Sequence, residues 1–207
     1  IIDAELMGKG EKEKKDLYIE GIQNNGIINH YEYIINSEGT IEIRHVLKPE
    51  GKMPLWFPRI GLTLTVSDAL DQVKWYGRGP QENYPDRKTG YPTGIYASTV
   101  QAMYEPYLMP QDYGLRTDVR WLQLTTDKGI GLQFKMNEWF NFNIYPYSTD
   151  NLTKAMYTYQ LQKQKGMTLN LDYATTGVGC TARGVFGAYK AMPQEYRRTI
   201  SIRPMMK

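Results

Sequence analysis

Apolar residues fall at every second position over much of this chain, and that spacing constrains the fold more than any other feature. Ile60, Leu62, Leu64 and Val66 are separated by Gly61, Thr63 and Thr65. Ile130, Leu132, Phe134 and Met136 repeat the pattern, as do Phe140, Phe142 and Ile144, then Leu169, Leu171 and Tyr173, and finally Ile200 and Ile202. A period of two sends successive side chains to opposite faces of an extended strand, so each run predicts a strand with one buried face. Asn36-Ser37-Glu38-Gly39 and Thr126-Asp127-Lys128-Gly129 each separate two such runs and end in Gly, the residue a hairpin loop needs where its last position turns left-handed. One segment reads as a helix, Thr149 to about Met156 (149–156), with Ser148 as its cap and Asp150 in its first turn. Short strands with turns between them and no alternating helices predict an all-β fold, an antiparallel sandwich.

The bulk numbers narrow the class. A length of 207 residues suits one domain, 1–207, with 1–24 the least defined part. A net charge of +3 without a long basic run gives nucleic acid no electrostatic foothold. No apolar stretch reaches the roughly 20 residues of a membrane span. The single cysteine, Cys180, allows no internal disulfide, which fits a cytoplasmic or a periplasmic setting. The chain opens on Ile1-Ile2-Asp3 with no leader pattern, so it is expected to be a piece of a longer polypeptide. Gly8–Lys15 mixes charges and is expected to be a solvated loop tip.

Chemistry-bearing motifs are sparse. Of the two histidines, His45 shares its strand face with Ile41, Ile43 and Leu47 and is expected to be a satisfied core residue. His and Cys do not cluster at metal-ligand spacing. Gly177-Val178-Gly179-Cys180-Thr181-Ala182 has the form of a dinucleotide-binding loop, but Gly184 and Gly187 follow and deny it the helix that holds a pyrophosphate. A Gly-rich loop that lets backbone approach a ligand or another domain is the expectation there. Glu82, Asp86, Glu105, Asp112, Asp118, Glu138 and Asp172 are candidates for the carboxylate pair, about 5 Å apart, of a retaining glycosidase. Sequence alone brings no two of them together.

Gly77-Arg78-Gly79-Pro80-Gln81-Glu82-Asn83-Tyr84-Pro85-Asp86-Arg87 is both stiff and polar. Pro80 and Pro85 fix φ, while Gly77 and Gly79 are expected to permit left-handed turns. Glu82, Asp86 and Arg87 are expected to form one charge-assisted cluster that locks the loop.

This segment, together with Trp75-Tyr76 before it, resembles part of the C-terminal domain of lac-type β-galactosidases, glycoside hydrolase family two. Pro58-Arg59-Ile60-Gly61-Leu62, Met103-Tyr104-Glu105-Pro106-Tyr107, Gly114-Leu115-Arg116, Phe140–Ile144, Leu169–Asp172 and Gly177-Val178-Gly179 keep the family's order, so the resemblance covers about Tyr31 to Arg203. It implies a galactose-mutarotase-like β-supersandwich that carries no catalytic residue. The two catalytic glutamates of such enzymes lie in a (β/α)₈ barrel earlier in the polypeptide, which hydrolyses terminal β-D-galactosides with retention. The implied partners are that barrel and the carbohydrate at its active site; no cofactor is implied for this piece, and divalent and monovalent cations would belong to the barrel. In the family the loop after Gly177-Val178-Gly179 reaches the active-site mouth and carries a Trp that stacks on the leaving-group sugar. Gly184 stands at about that position here, which leaves Arg183 and Phe186 as candidate sugar contacts; the plain reading of Phe186 is a buried strand-start residue. Family members have further strands before the segment matching Tyr31, so an unpaired edge is expected, met by self-association or by Ile1–Asn24. Two other readings on the same fold are a stand-alone aldose epimerase and a carbohydrate-binding module. The second would need an exposed aromatic platform, whereas Trp56, Trp75, Trp121 and Trp139 are all expected in or beside strands.

Overall fold

The alternating runs become antiparallel strands joined in one hydrogen-bonded sheet. A computed structural model describes residues 15–18 (backbone only), 26–180 and 184–206. In chain order the elements are β1 (Lys15–Tyr18), β2 (Gly26–Ile35), β3 (Ile41–Glu50), β4 (Arg59–Val66), β5 (Gln72–Arg78), β6 (Thr93–Thr99), β7 (Arg116–Thr125), β8 (Gly131–Tyr145), α1 (Thr149–Lys154), β9 (Met167–Thr175) and β10 (Tyr196–Met205). Both predicted hairpin loops are present, with Gly39 at φ 76° and Gly129 at φ 78°. Asn36 Oδ1 adds a local brace by accepting from the Glu38 and Thr40 N–H groups. The predicted helix is α1, capped as expected by Ser148, whose side chain accepts from the Asn151 N–H.

The order along the sheet is β1-β2-β3-β10-β8-β7-β5-β6, with β4 joined through β9 to β8. The fork lies inside β8, the longest strand. Its first half, Gly131–Met136, pairs with β10, and its second half, Asn141–Tyr145, pairs with β9. The two arms enclose one core, in which Trp75, Leu122, Leu124, Phe134, Phe140, Phe142, Leu169 and Leu171 are fully buried. Burial on this scale is the main drive for closing such a sandwich. Lys15–Tyr18, inside the segment expected to meet the open edge, pairs antiparallel with β2. The Gly8–Lys15 expectation falls, apart from the Lys15 backbone, outside the described residues.

Two strands depart from simple alternation. Every residue of β9 from Met167 to Tyr173 is buried, so the face bearing Thr168, Asn170 and Asp172 is not wet. The segment Tyr104–Leu115 covers the polar layer there, with Tyr113 and Leu115 themselves buried. In β8, residues 136–139 oppose Arg120 alone, because Val119 pairs with Phe140 and Trp121 with Lys135. This long bulge pushes Trp139 outward to 60% exposure, although it lies within a strand. Trp56 lies beside the Phe57–Ala191 bridge and is also partly exposed, so the tryptophans stand in or beside strands as expected without all being buried.

Candidate functional site

The stretch from Gly77 to Arg87 folds as a loop braced from inside. Its glycines serve close approach rather than a left-handed turn: neither is among the positive-φ residues, and a Cβ on Gly79 would sit 2.8 Å from the Tyr96 ring and 3.0 Å from Trp75. Asn83 is fully buried. Its backbone N–H donates to Leu115 O at 2.8 Å, its Nδ2 donates to Gln81 O, and its Oδ1 accepts from both the backbone and the hydroxyl of Thr117. Glu82 beside it is the anchor. Oε1 accepts from Arg87 Nη2 at 2.8 Å and from the Tyr107 hydroxyl; Oε2 accepts from the Gly114 N–H at 2.9 Å and the Tyr84 hydroxyl at 3.1 Å. Burial by itself would raise the Glu82 carboxyl. The donors from Tyr107, Gly114, Tyr84 and Arg87 outweigh it and hold the group below its ordinary value.

Asp86 does not join that cluster. Its carboxylate reaches across 92 residues of sequence and accepts from the backbone N–H groups of Val178 (3.0 Å) and Gly179 (2.6 Å). The closeness of the two loops explains Gly177: a Cβ there would lie 2.3 Å from Asp86 Cγ. The second loop is also closed at its base, where Gly177 N–H donates to Tyr189 O and Gly184 N–H to Cys180 O. Charge-assisted bonds to backbone N–H groups are among the stronger ones, so one exposed-loop carboxylate fixes where this second loop starts.

Phe186 stands beyond that clamp, just before a short 3₁₀ turn at Gly187–Tyr189, and is 66% exposed. It is not the buried strand-start residue that a plain reading of the sequence predicts. Its exposure follows from its position, in the stretch between Gly177 and Ala191, where the Phe57–Ala191 pairing brings the chain back to the core. Arg183 lies outside the described residues.

Of the candidate carboxylates, Asp112 and Asp172 come together. Arg59 Nη2 is 3.2 Å from Asp112 Oδ2 and 3.1 Å from Asp172 Oδ2, so the two acids are no farther apart than those two distances combined. The spacing is near that of a retaining pair, but the chemistry is not available. A guanidinium stands between the acids, and the Asp172 side chain is 2% exposed. The surrounding amides are all engaged: Asn143 Nδ2 donates to Asp112 Oδ1 and Tyr113 O, Asn170 Nδ2 donates to Asn143 Oδ1, and Thr63 donates to Asn170 Oδ1. Burial pushes Asp172 up to about 6, because one cation is shared between two anions and Asp112 adds to the penalty. Burial would lower Arg59, but Asp172 and Asp112 outweigh it and hold it above its ordinary value. Arg59, Asn143 and Asn170 were not singled out from sequence. The only signal was amides at alternate positions in apolar strands, which reads as a wet face.

His45 is 1% exposed. Its Nδ1 lies 2.7 Å from the Tyr173 hydroxyl and its Nε2 lies 3.0 Å from Asn29 Oδ1. Asn29 Oδ1 only accepts, so the arrangement fits a neutral ring with its proton on Nε2. Burial pushes the ring down to about 4. This is the satisfied core residue expected from the sequence, and it offers no accessible general acid or base. Among the described residues no group of three or more His, Cys, Asp or Glu side chains is placed to hold a metal ion, and no helix is long and apolar enough to cross a membrane.

Comparison with known proteins gives these features a context. A sequence model of the family described as beta galactosidase small chain matches residues 7–202. The β-galactosidase of Priestia megaterium is 38% identical over 147 residues, which cover 71% of this chain and 14% of that protein. The β-galactosidase of Vibrio cholerae is 39% identical over 122 residues, 59% of this chain and 11% of that protein. That of Pseudoalteromonas haloplanktis is 33% identical over 159 residues, 75% of this chain and 14% of that protein. The chain thus spans only about one eighth of the length of the relatives it matches.

Proposed function

This chain belongs to the beta galactosidase small chain family, and from that premise we propose that it is a non-catalytic sandwich that buttresses the active site of a larger β-galactosidase. The observation that carries the proposal is the coupled pair of loops. Glu82 and Asn83 anchor the first loop in the sandwich, and Asp86 on that loop holds the backbone of the second at Val178 and Gly179. A pre-organised wall of this kind loses little entropy when a neighbouring domain or a sugar docks against it. The exposed Phe186 is the part that faces the leaving-group side of a barrel elsewhere in the enzyme, where terminal β-D-galactosides are hydrolysed with retention, and Arg183 is the second candidate sugar contact. The state of Asp112 and Asp172, bridged by Arg59, supports a role without bond-breaking for this piece.

Two assays test the reading. The 207-residue chain, given a nitrophenyl β-galactoside, should show no turnover; hydrolysis abolished by D172N would overturn the non-catalytic role. In the parent enzyme, D86A should lower kcat/KM between about 10- and 100-fold through a displaced wall. An unchanged kcat/KM with D86A would overturn the buttress.

A further inference from the structure

The sandwich has a concave feature beside the Phe186 segment, whose 3₁₀ turn supplies Tyr189 to its border. It is a cleft of about 220 Å³ between the two coupled loops, bordered by Lys88, Asp118, Trp139, Asn141, Thr175 and Tyr189. We propose that this cleft binds a single neutral pyranose ring, with Trp139 as the stacking surface and the Lys88–Asp118–Asn141 group as the hydroxyl-binding edge. The proposal goes beyond the buttress role and stands or falls independently of it.

Two irregularities of the sheet meet at this cleft. Asp118, at φ 55°, is the one non-glycine residue with positive φ among the described residues, and it lies where β7 gains a residue against β8 between Arg116 and Val119. Trp139 lies on the long bulge of β8 opposite. Bulges and left-handed non-glycine residues cost stability and concentrate where a side chain must be re-aimed. Here one presents a carboxylate and the other presents an indole.

Both presentations are fixed in advance. Arg120 lies 4.2 Å over the Trp139 ring and 4.8 Å over Tyr76, which holds the indole while leaving it largely exposed. Asp118 accepts from Arg78 Nε at 2.5 Å and from Lys88 Nζ at 2.8 and 3.0 Å, and its N–H donates to Asn141 Oδ1. Asn141 Nδ2 in turn donates to Thr175 Oγ1. Among the charges bordering the cleft, Lys88 and Asp118 pair with each other, while Lys190 lies over the Trp56 ring. At the Lys88–Asp118–Asn141 edge a charged ligand would have to break Lys88 from Asp118, whereas hydroxyl groups can use the third Lys88 proton and the remaining lone pairs of Asp118 without doing so. The volume lies below the range for drug-sized ligands, about 300–1,000 Å³, and so suits one ring rather than a chain of them.

The test is saturation-transfer NMR on the 207-residue chain with methyl β-D-galactopyranoside, read on the sugar protons so that the loss of an indole cannot mimic loss of binding. Transfer saturating in the millimolar range is expected. W139A should weaken it at least about tenfold, and W139F, which keeps a ring, should weaken it only a few-fold. D118N, which retains a residue type tolerant of positive φ, should also weaken it. Melting curves establish that each variant is folded. No transfer to the wild-type chain would overturn the proposal, and so would a W139A chain that titrates like the wild type. Either failure would leave the D86A result in the parent enzyme untouched.

Discussion

Glu82 and Asp172 are both carboxylates sealed inside the sandwich, yet the protein treats them in opposite ways. Glu82 collects two hydroxyls, a backbone N–H and a guanidinium, and is held below its ordinary value. Asp172 shares one guanidinium with Asp112, has one hydroxyl from Thr175, and is pushed up to about 6. Asp172 is the more deeply buried of the two and also has fewer donors per negative charge, and both differences push it up while the four donors hold Glu82 down. Glu82 is an anchor because its loop brings the donors to it. Asp172 is a tolerated acid in a polar layer whose main business is to satisfy amides.

The sharpest way to break this contrast is to remove the anchor. E82A leaves Arg87, two tyrosine hydroxyls and the Gly114 N–H without their acceptor, and should cost about 3–5 kcal/mol. Thermal unfolding would then fall by roughly 6–20 °C, at about 2–4 °C per kcal/mol for a chain of this size. A fall of only one or two degrees would mean that Glu82 is not the anchor.

Next in size is the clamp that Glu82's loop applies to its neighbour. G177A should destabilise by about 1–3 kcal/mol, because its methyl group meets the Asp86 carboxylate. In a D86A background the same change should cost almost nothing. A double-mutant cycle by chemical denaturation reads the coupling, and additive costs would show that the two loops are not held through this contact. R87A should be milder, at most about 1 kcal/mol, because the Arg87 side chain is 49% exposed and solvent screens its pairing with Glu82.

D172N should change stability least at neutral pH, by less than about 1 kcal/mol, since an amide there relieves one of two anions on Arg59. Its effect is on the pH profile. A carboxyl raised from 3.8 to about 6 contributes stability that is present below pH 3.8 and is lost as pH rises through about 6. His45, lowered from 6.5 to about 4, contributes stability that is present above pH 6.5 and is lost as pH falls through about 4. The two slopes oppose each other across the same window. In D172N the opposing Asp172 slope is gone and the histidine slope is no longer offset, so the melting temperature should fall more steeply between pH 6 and 4 than in the wild type. Equal slopes would contradict the raised Asp172.

The strands and their turns were legible because alternation and left-handed glycines are local properties. Ile60–Val66, Leu169–Tyr173 and the loops ending at Gly39 and Gly129 needed no knowledge of partners. So was the stiffness of the loop at Glu82, from its prolines. What could not be read was which acid meets which donor. Asp86 looks like a companion of Glu82 and Arg87 in sequence, but its partners are Val178 and Gly179. Asn143 and Asn170 read as a wet face, because nothing local says that Tyr104–Leu115 will cover them. Trp139 read as a strand residue, which it is, but the bulge that exposes it depends on β8 changing partners partway along.

That change of partners has a consequence for how the molecule comes apart. Gly131–Tyr145 supplies one ladder to β10 and another to β9, so neither arm can melt while the other keeps its full complement of neighbours. Cooperativity is thereby written into a single fifteen-residue segment. A deletion that shortens it would dissolve both arms together, whereas an insertion of similar size at either hairpin tip would be absorbed locally.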